Sequence, residues 1–229
     1  MEVNHRGGAT KPASETVSDV VFRQIRHDII SGALKPGAKI KLDQAKERYC
    51  VSVASLREIL NRLTTEKFVV AEGQRGFEVS PASRQELLEL TDLRILLETY
   101  AIGLSFESGD LEWESRIVEA HHKLAAAEQE LMAGDDSKTM AWVRLDWEFH
   151  QAMVSACRSR TLVVTLSAIF DRFLRYHLLA GSFRGAGVVD DHKLLFELAL
   201  NRDLKSAKDV IRDHIQSGMN HVLANYRIQ

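Results

Sequence analysis

Between Ile29 and Val79 the chain passes through helix-sized segments split by tight breaks, then through two short β-prone runs around a glycine-bearing tip. Few small folds accept that order. Thr16-x-x-Asp19 puts a hydroxyl and a carboxylate where they satisfy the free amides of a first helical turn, so a helix is expected to open there. Val17, Val21, Ile25 and Ile29 then recur every four residues as an apolar stripe, and Ser31-Gly32 and Pro36-Gly37 stop and turn the chain.

A second helix is expected over about 43 to 49. Only Cys50 and Val51 separate it from Ser52, a good N-cap for a third helix. On that third helix Leu56, Ile59, Leu60 and Leu63 share one face, while Ala54, Arg57 and Asn61 share the other. The β-prone runs are 68–71 and 77–79. Three helices followed by a β-hairpin wing make a winged helix-turn-helix, whose third helix enters a major groove. The start and outer face of that helix, Ser52, Val53, Ala54, Ser55, Arg57 and Asn61, are the expected DNA-contacting positions. Gln74 and Arg75 would sit at the wing tip, near phosphates or a minor groove. Cys50, inside the module, is expected to be packed.

The stretches IISGALKPGAKI, VSVASLREILNRL and FVVAEGQRGFEV resemble the GntR family of bacterial transcription regulators. The family's usual recognition stretch reads Val-Ser-Arg-Thr-Pro-Val-Arg-Glu-Ala-Leu, and Ser52, Arg57 and Glu58 match it. Val53 stands where the family often has a base-reading arginine, and Cys50 stands where it has a turn glycine. The resemblance implies DNA binding at an operator that differs from the commonest family sites.

The chain has 229 residues, enough for a second domain after this module. Charge divides unevenly: residues 1–80 hold 13 Lys/Arg against 10 Asp/Glu, and the remainder hold 17 against 22. A basic front and an acidic back suit a DNA reader joined to something else. With two cysteines, neither a disulfide scaffold nor a cysteine zinc site is available, and a reduced cytoplasmic setting is expected. No apolar run approaches the roughly 20 residues that span a bilayer, so no membrane partner is expected. Residues 1–15, rich in Gly, Ser and Thr, read as a disordered leader, and 16–80 as the winged module.

After Pro81 there is no proline and no strand alternation. A long amphipathic helix from about Leu87 to Tyr100 is followed by helical stretches at about 110–133, 137–157, 161–180, 191–200 and 203–226. The expected fold class is therefore mainly α, with an all-α antiparallel bundle of about six helices over 81–229.

Polar residues interrupt the apolar faces of that bundle. Asp146 and His150 share a stripe with Met153 and Cys157, His192 begins a face continued by Leu195, Phe196 and Ala199, and His214 shares a stripe with Val210, Ile211 and Val222. A buried carboxylate without a partner is expensive. A divalent cation held by Asp146, His150, His192 and His214 would offset that cost and pin three helices together, with Zn²⁺ the first choice and Ni²⁺ or Mn²⁺ as alternatives. Singly, each of these histidines is also compatible with an ordinary core position, as are His121, His122, His177 and His221.

Leu93-Arg94-x-x-x-Glu98, Asp146-x-x-x-His150, Asp191-His192 and His214 together resemble the FCD effector domain of the FadR subgroup. Metal-binding members of that subgroup use an aspartate and three histidines in this order, with an ion at the floor of a cavity that holds a small organic acid. The resemblance implies a homodimeric regulator, expected to be a repressor, on a palindromic double-stranded operator, controlled by a small carboxylate effector. Arg94 is the arginine the family places at the effector, with Arg172 and Arg175 as further candidates, and Arg94 is equally able to pair with Glu98 at i+4. Two other readings stay open: a purely structural ion, and a metal-dependent enzyme for which spacing supplies no general base.

Overall fold

A computed structural model describes residues 16–73, 76–181 and 183–228. The expected leader 1–15 and the wing-tip residues Gln74 and Arg75 lie outside the described residues.

Helix α1 (Val17–Ile30) opens as its sequence directs, with the Asp19 amide donating to Thr16 Oγ1 at 3.2 Å and Thr16 Oγ1 donating to Asp19 Oδ2 at 2.7 Å. Its stripe buries Val21, Ile25 and Ile29, whereas Val17 remains exposed. Strand β1 (Lys39–Ile40) and helix α2 (Leu42–Arg48) lead to α3 (Val53–Thr65), which Ser52 caps by accepting from the Ser55 amide at 3.1 Å. Leu56, Ile59, Leu60 and Leu63 are each 0 % exposed and form the floor of this unit's core. The wing is β2 (Val69–Ala71) against β3 (Phe77–Val79), antiparallel, with Val69 opposite Val79 and Ala71 opposite Phe77.

The sequence expectation of a hairpin wing omitted one strand. β1 pairs along the other side of β3 and makes a three-stranded sheet in the order β1-β3-β2. Two residues are too few to show an alternation; the pairing comes from the turn at Gly37, whose amide donates to Val79 O at 2.9 Å. Cys50 is a correction. It is exposed, and it takes φ +54, so the helix-turn-helix turn demands a left-handed residue there and turns the thiol outward.

The rest of the chain is α4 (Arg84–Ser108), α5 (Leu111–Met132), a 3-10 turn (Asp136–Lys138), α6 (Thr139–Val154), α7 (Arg160–Ala180), α8 (Ala186–Leu200) and α9 (Leu204–Asn225) around a second apolar core. Helix α8 begins earlier than its spacing suggested, because Gly185, at φ +73, makes the turn and the exposed Gly187 fits the first helical turn. Helix α4 packs on α7 and α9, α5 on α6 and α8, and α7 also packs on α1. Leu174 and Leu178 of α7 touch both cores, so this one helix joins them.

Candidate functional site

The outer face of α3 leaves Ser52, Ala54, Arg57 and Asn61 exposed, with Val53 and Ser55 half-buried at its start. Arg57 forms no ion pair with the described residues. Arg62, one turn further on, is committed instead to Asp19 at 3.1 Å and lies over the Phe22 ring at 4.2 Å, where it fastens α3 to α1.

Inside the second unit, α6 brings Asp146 and His150, α8 brings His192 and α9 brings His214. One ligand atom from each lies within 4.8 Å of the other three. His150 and His192 are 0 %, His214 2 % and Asp146 9 % exposed. The four are therefore placed together as the helix faces suggested.

Each imidazole is turned by a carboxylate. His150 Nδ1 meets Glu98 Oε1, His192 Nδ1 meets Glu128 Oε1 at 2.6 Å, and His214 Nδ1 meets Asp191 Oδ2 at 3.2 Å. An ionised carboxylate only accepts, so each Nδ1 carries the proton and each Nε2 lone pair faces inward. His192 Nε2 then lies 2.9 Å from Asp146 Oδ1. Two lone pairs at that distance need a proton or a cation between them. Asp146 Oδ1, His150 Nε2 and His192 Nε2 have no hydrogen-bond partner among the described residues. Three inward nitrogens and one carboxylate oxygen, all buried and only His214 Nε2 otherwise engaged, by Arg184 Nη2 at 3.2 Å, fit a first-row divalent ion.

The charges are arranged to the same end. Burial pushes the Asp146 carboxyl up, but the His192 contact, with His150 and the Arg94 guanidinium nearby, overcomes it and holds the group well below its usual range. Glu98 is fully buried, yet His150 and Arg94 hold it down to about 2. Burial, with Arg184 beside it, holds His214 well below its ordinary value and so neutral, as a ligand must be.

A cavity of about 20 Å³ adjoins the quartet, bounded by Arg94, Phe170, Phe173, His177, Arg184 and Gly218. Arg94 does both things the sequence allowed. Its Nε donates to Glu98 Oε2 at 3.0 Å, its guanidinium lies 4.6 and 4.9 Å from the Phe170 and Phe173 ring centroids, and its Nη2 has no hydrogen-bond partner among the described residues.

Arg172 and Arg175 do not join it. Arg172 pairs with Glu86 and Arg175 donates to the Ser80 carbonyl, both on the far side of α7, because packing of Phe170 and Phe173 inward rotates those arginines toward residues 80–86. Sequence reasoning missed Arg184, which it assigned only to a break, and His177, which it set aside as ordinary. It also missed Glu128, which no local spacing ties to His192. The two glycines flanking Arg184 were the one signal available.

No helix among the described residues is long and apolar enough to cross a membrane. Residues 17–79 match the bacterial regulatory proteins, gntR family, and residues 89–217 match the FCD domain, a domain known to bind metals. The chain is 32 % identical over 206 residues to the uncharacterized HTH-type transcriptional regulator BphR of Paraburkholderia xenovorans, covering 89 % of this chain and 84 % of that one. It is 31 % identical over 202 residues to the HTH-type transcriptional repressor GlaR of Escherichia coli, covering 85 % and 90 %. The fold is shared with E. coli McbR/YncC at a TM-score of 0.75 and 22 % identity, over 93 % of this chain and 100 % of that one. These are transcriptional regulators rather than enzymes. The chain belongs to the GntR family, with an FCD domain behind its helix-turn-helix, and is a DNA-binding transcriptional regulator.

Proposed function

We propose that this regulator is a ligand-controlled repressor of the FadR subgroup, whose operator affinity follows a small organic acid held beside a divalent ion. The observation that carries the reading is the set of inward Nε2 atoms, each with its Nδ1 tied to a carboxylate, around the orphaned Asp146 Oδ1. Asp146, His150, His192 and His214 would hold the ion, Zn²⁺ first and Ni²⁺ or Mn²⁺ as alternatives. Bound there, the ion supplies positive charge and open positions for a carboxylate. Arg94 Nη2, buried and without a hydrogen-bond partner among the described residues, offers a charge-assisted donor to the same acid.

On the DNA side, a cytoplasmic homodimer would set two winged modules, 16–80 of each chain, on a palindromic operator, leaving 81–229 for the effector and the dimer. Ser52, Val53, Ala54, Ser55, Arg57 and Asn61 would face the major groove, and Gln74 and Arg75 the wing contact. Helix α4 leaves Leu93, Leu96 and Tyr100 exposed at 40, 64 and 61 %, a stripe that suits a second copy.

The test is metal content by mass spectrometry on wild type and His192→Ala, with a thermal-shift screen of small carboxylic acids and operator titrations. About one ion per chain in wild type only, with an acid that both stabilises it and changes DNA affinity, is the expected result. An ion that raises the melting temperature while no acid binds would make the metal structural instead. Wild type that stays metal-free after reconstitution with zinc, nickel and manganese would end the metal reading.

A further inference from the structure

Arg184 stands on the connection between α7 and α8, where Gly181 and Gly185 both take left-handed backbone, at φ +67 and +73. Its guanidinium turns into the cavity. Nη1 donates to the main-chain oxygen of His214 at 3.1 Å, and Nη2 lies 3.2 Å from His214 Nε2. Helix α9 admits it because residue 218 is glycine: a Cβ there would come within 3.3 Å of Arg184 Nη1 and 3.0 Å of the His177 ring. Among the described residues no carboxylate forms an ion pair with Arg184, and its Nε has no partner.

His214 Nε2 has one lone pair. It serves a guanidinium N–H or a cation, but not both. If the quartet accepts a dication, Arg184 Nη2 gives up the one side-chain acceptor it has among the described residues, and two positive groups then share a closed space. A single anion relieves both costs. We propose that Arg184 anchors the effector's carboxylate and makes acid binding and ion binding cooperative, because the carboxylate supplies the acceptor that His214 withdraws. This rests on the metal-and-acid reading above and goes beyond it by naming the residue that couples the two ligands. Such coupling is reciprocal, so the acid tightens the ion as much as the ion tightens the acid.

The experiment measures zinc affinity by competition with a chromophoric chelator, without and with saturating acetate, on full-length wild type, Arg184→Gln and Arg184→Lys. Acetate is the probe because it presents a carboxylate on a single methyl group to a cavity of only about 20 Å³. Expected for wild type is a rise in zinc affinity of roughly ten-fold on adding acetate. Arg184→Gln should bind zinc alone at least as tightly as wild type and show no rise, and Arg184→Lys should keep part of it, having the charge without the fork. Circular dichroism of each variant confirms the fold.

An Arg184→Gln protein that keeps the full acetate effect overturns the inference while leaving the metal-and-acid reading standing. So does one that binds zinc alone roughly ten-fold more weakly, since Arg184 would then merely position His214. Wild type that takes zinc but ignores acetate overturns the acid reading and the inference together. Wild type that takes no zinc overturns the metal reading first.

Discussion

Arg26 on α1 and Asp171 on α7 meet at 2.6 Å, and the same guanidinium reaches Glu66 at the end of α3 at 2.8 Å. Asp171 is flanked by Phe170 and lies two residues from Phe173, the rings that carry the Arg94 guanidinium. One side of α7 thus faces the cavity and the other grips the DNA-binding unit. A shift of Arg94 has a rigid helix through which to bias α1. Asp171→Asn keeps the shape and removes the charge. Metal content and acid binding should be unchanged, the acid-dependent change in operator affinity should be largely lost, and stability should fall by about 1 kcal/mol, the upper end for a part-exposed pair. Operator titrations with and without acid check it; an unchanged acid response would show that the signal travels elsewhere.

Glu128 accepts from His192 Nδ1 at 2.6 Å and from Trp142 Nε1 at 3.3 Å while only 1 % exposed. Glu128→Gln retains an oxygen for both but loses the charge that makes the imidazole a strong donor to a cation. Zinc affinity should fall by roughly ten-fold or more with the helical content intact. Chelator competition reads this directly, and unaltered affinity would mean that the carboxylate serves packing alone.

Cys50 holds φ +54 as an L-residue, with its thiol exposed and 3.6 Å from the Glu47 carbonyl. Glycine adopts that backbone without the Cβ clash. Cys50→Gly should therefore stabilise the protein by roughly 0.5–1 kcal/mol, seen as a higher midpoint in urea at unchanged slope. A lower midpoint would mean that the thiol contributes more than the turn costs.

His177 is held down to about 3, first by burial and then by the nearby charges of Arg184 and Arg94. An unfolded histidine takes up its proton near about 6.5. Between those values the unfolded chain binds a proton that the folded chain refuses, so stability is complete above about 6.5 and falls as pH drops toward 3. His214 contributes with the same sign. The measurement is melting temperature from neutral pH down to about pH 5, where His177→Gln should lose less than wild type relative to its own neutral value. Parallel losses in the two proteins would count against a neutral His177.

The helices, their caps and the faces that carry Asp146, His150, His192 and His214 were legible in the sequence because they depend on local spacing. Thr16 and Ser52 cap α1 and α3 where their side chains demanded, and Asp146 and His150 lie one turn apart on a helix whose other inward residues are apolar. A period of 3.6 residues says which side chains share a face. It also singled out Arg94 and its pairing with Glu98, again four residues apart.

Only the tertiary structure decided what each face meets. Glu98 reaches His150 from α4, Glu128 reaches His192 from α5, and neither distance along the chain, 52 and 64 residues, carries any spacing rule. Arg172 and Arg175 sit on the same helix as the cavity-lining Phe170 and Phe173, yet the burial of those rings turns both arginines away. Arg184 enters the cavity because two glycines bend its connection and a third, Gly218, lets it approach α9. Periodicity assigns a residue to a side of its own helix, and packing between distant helices determines which partner, charge or cavity that side finds.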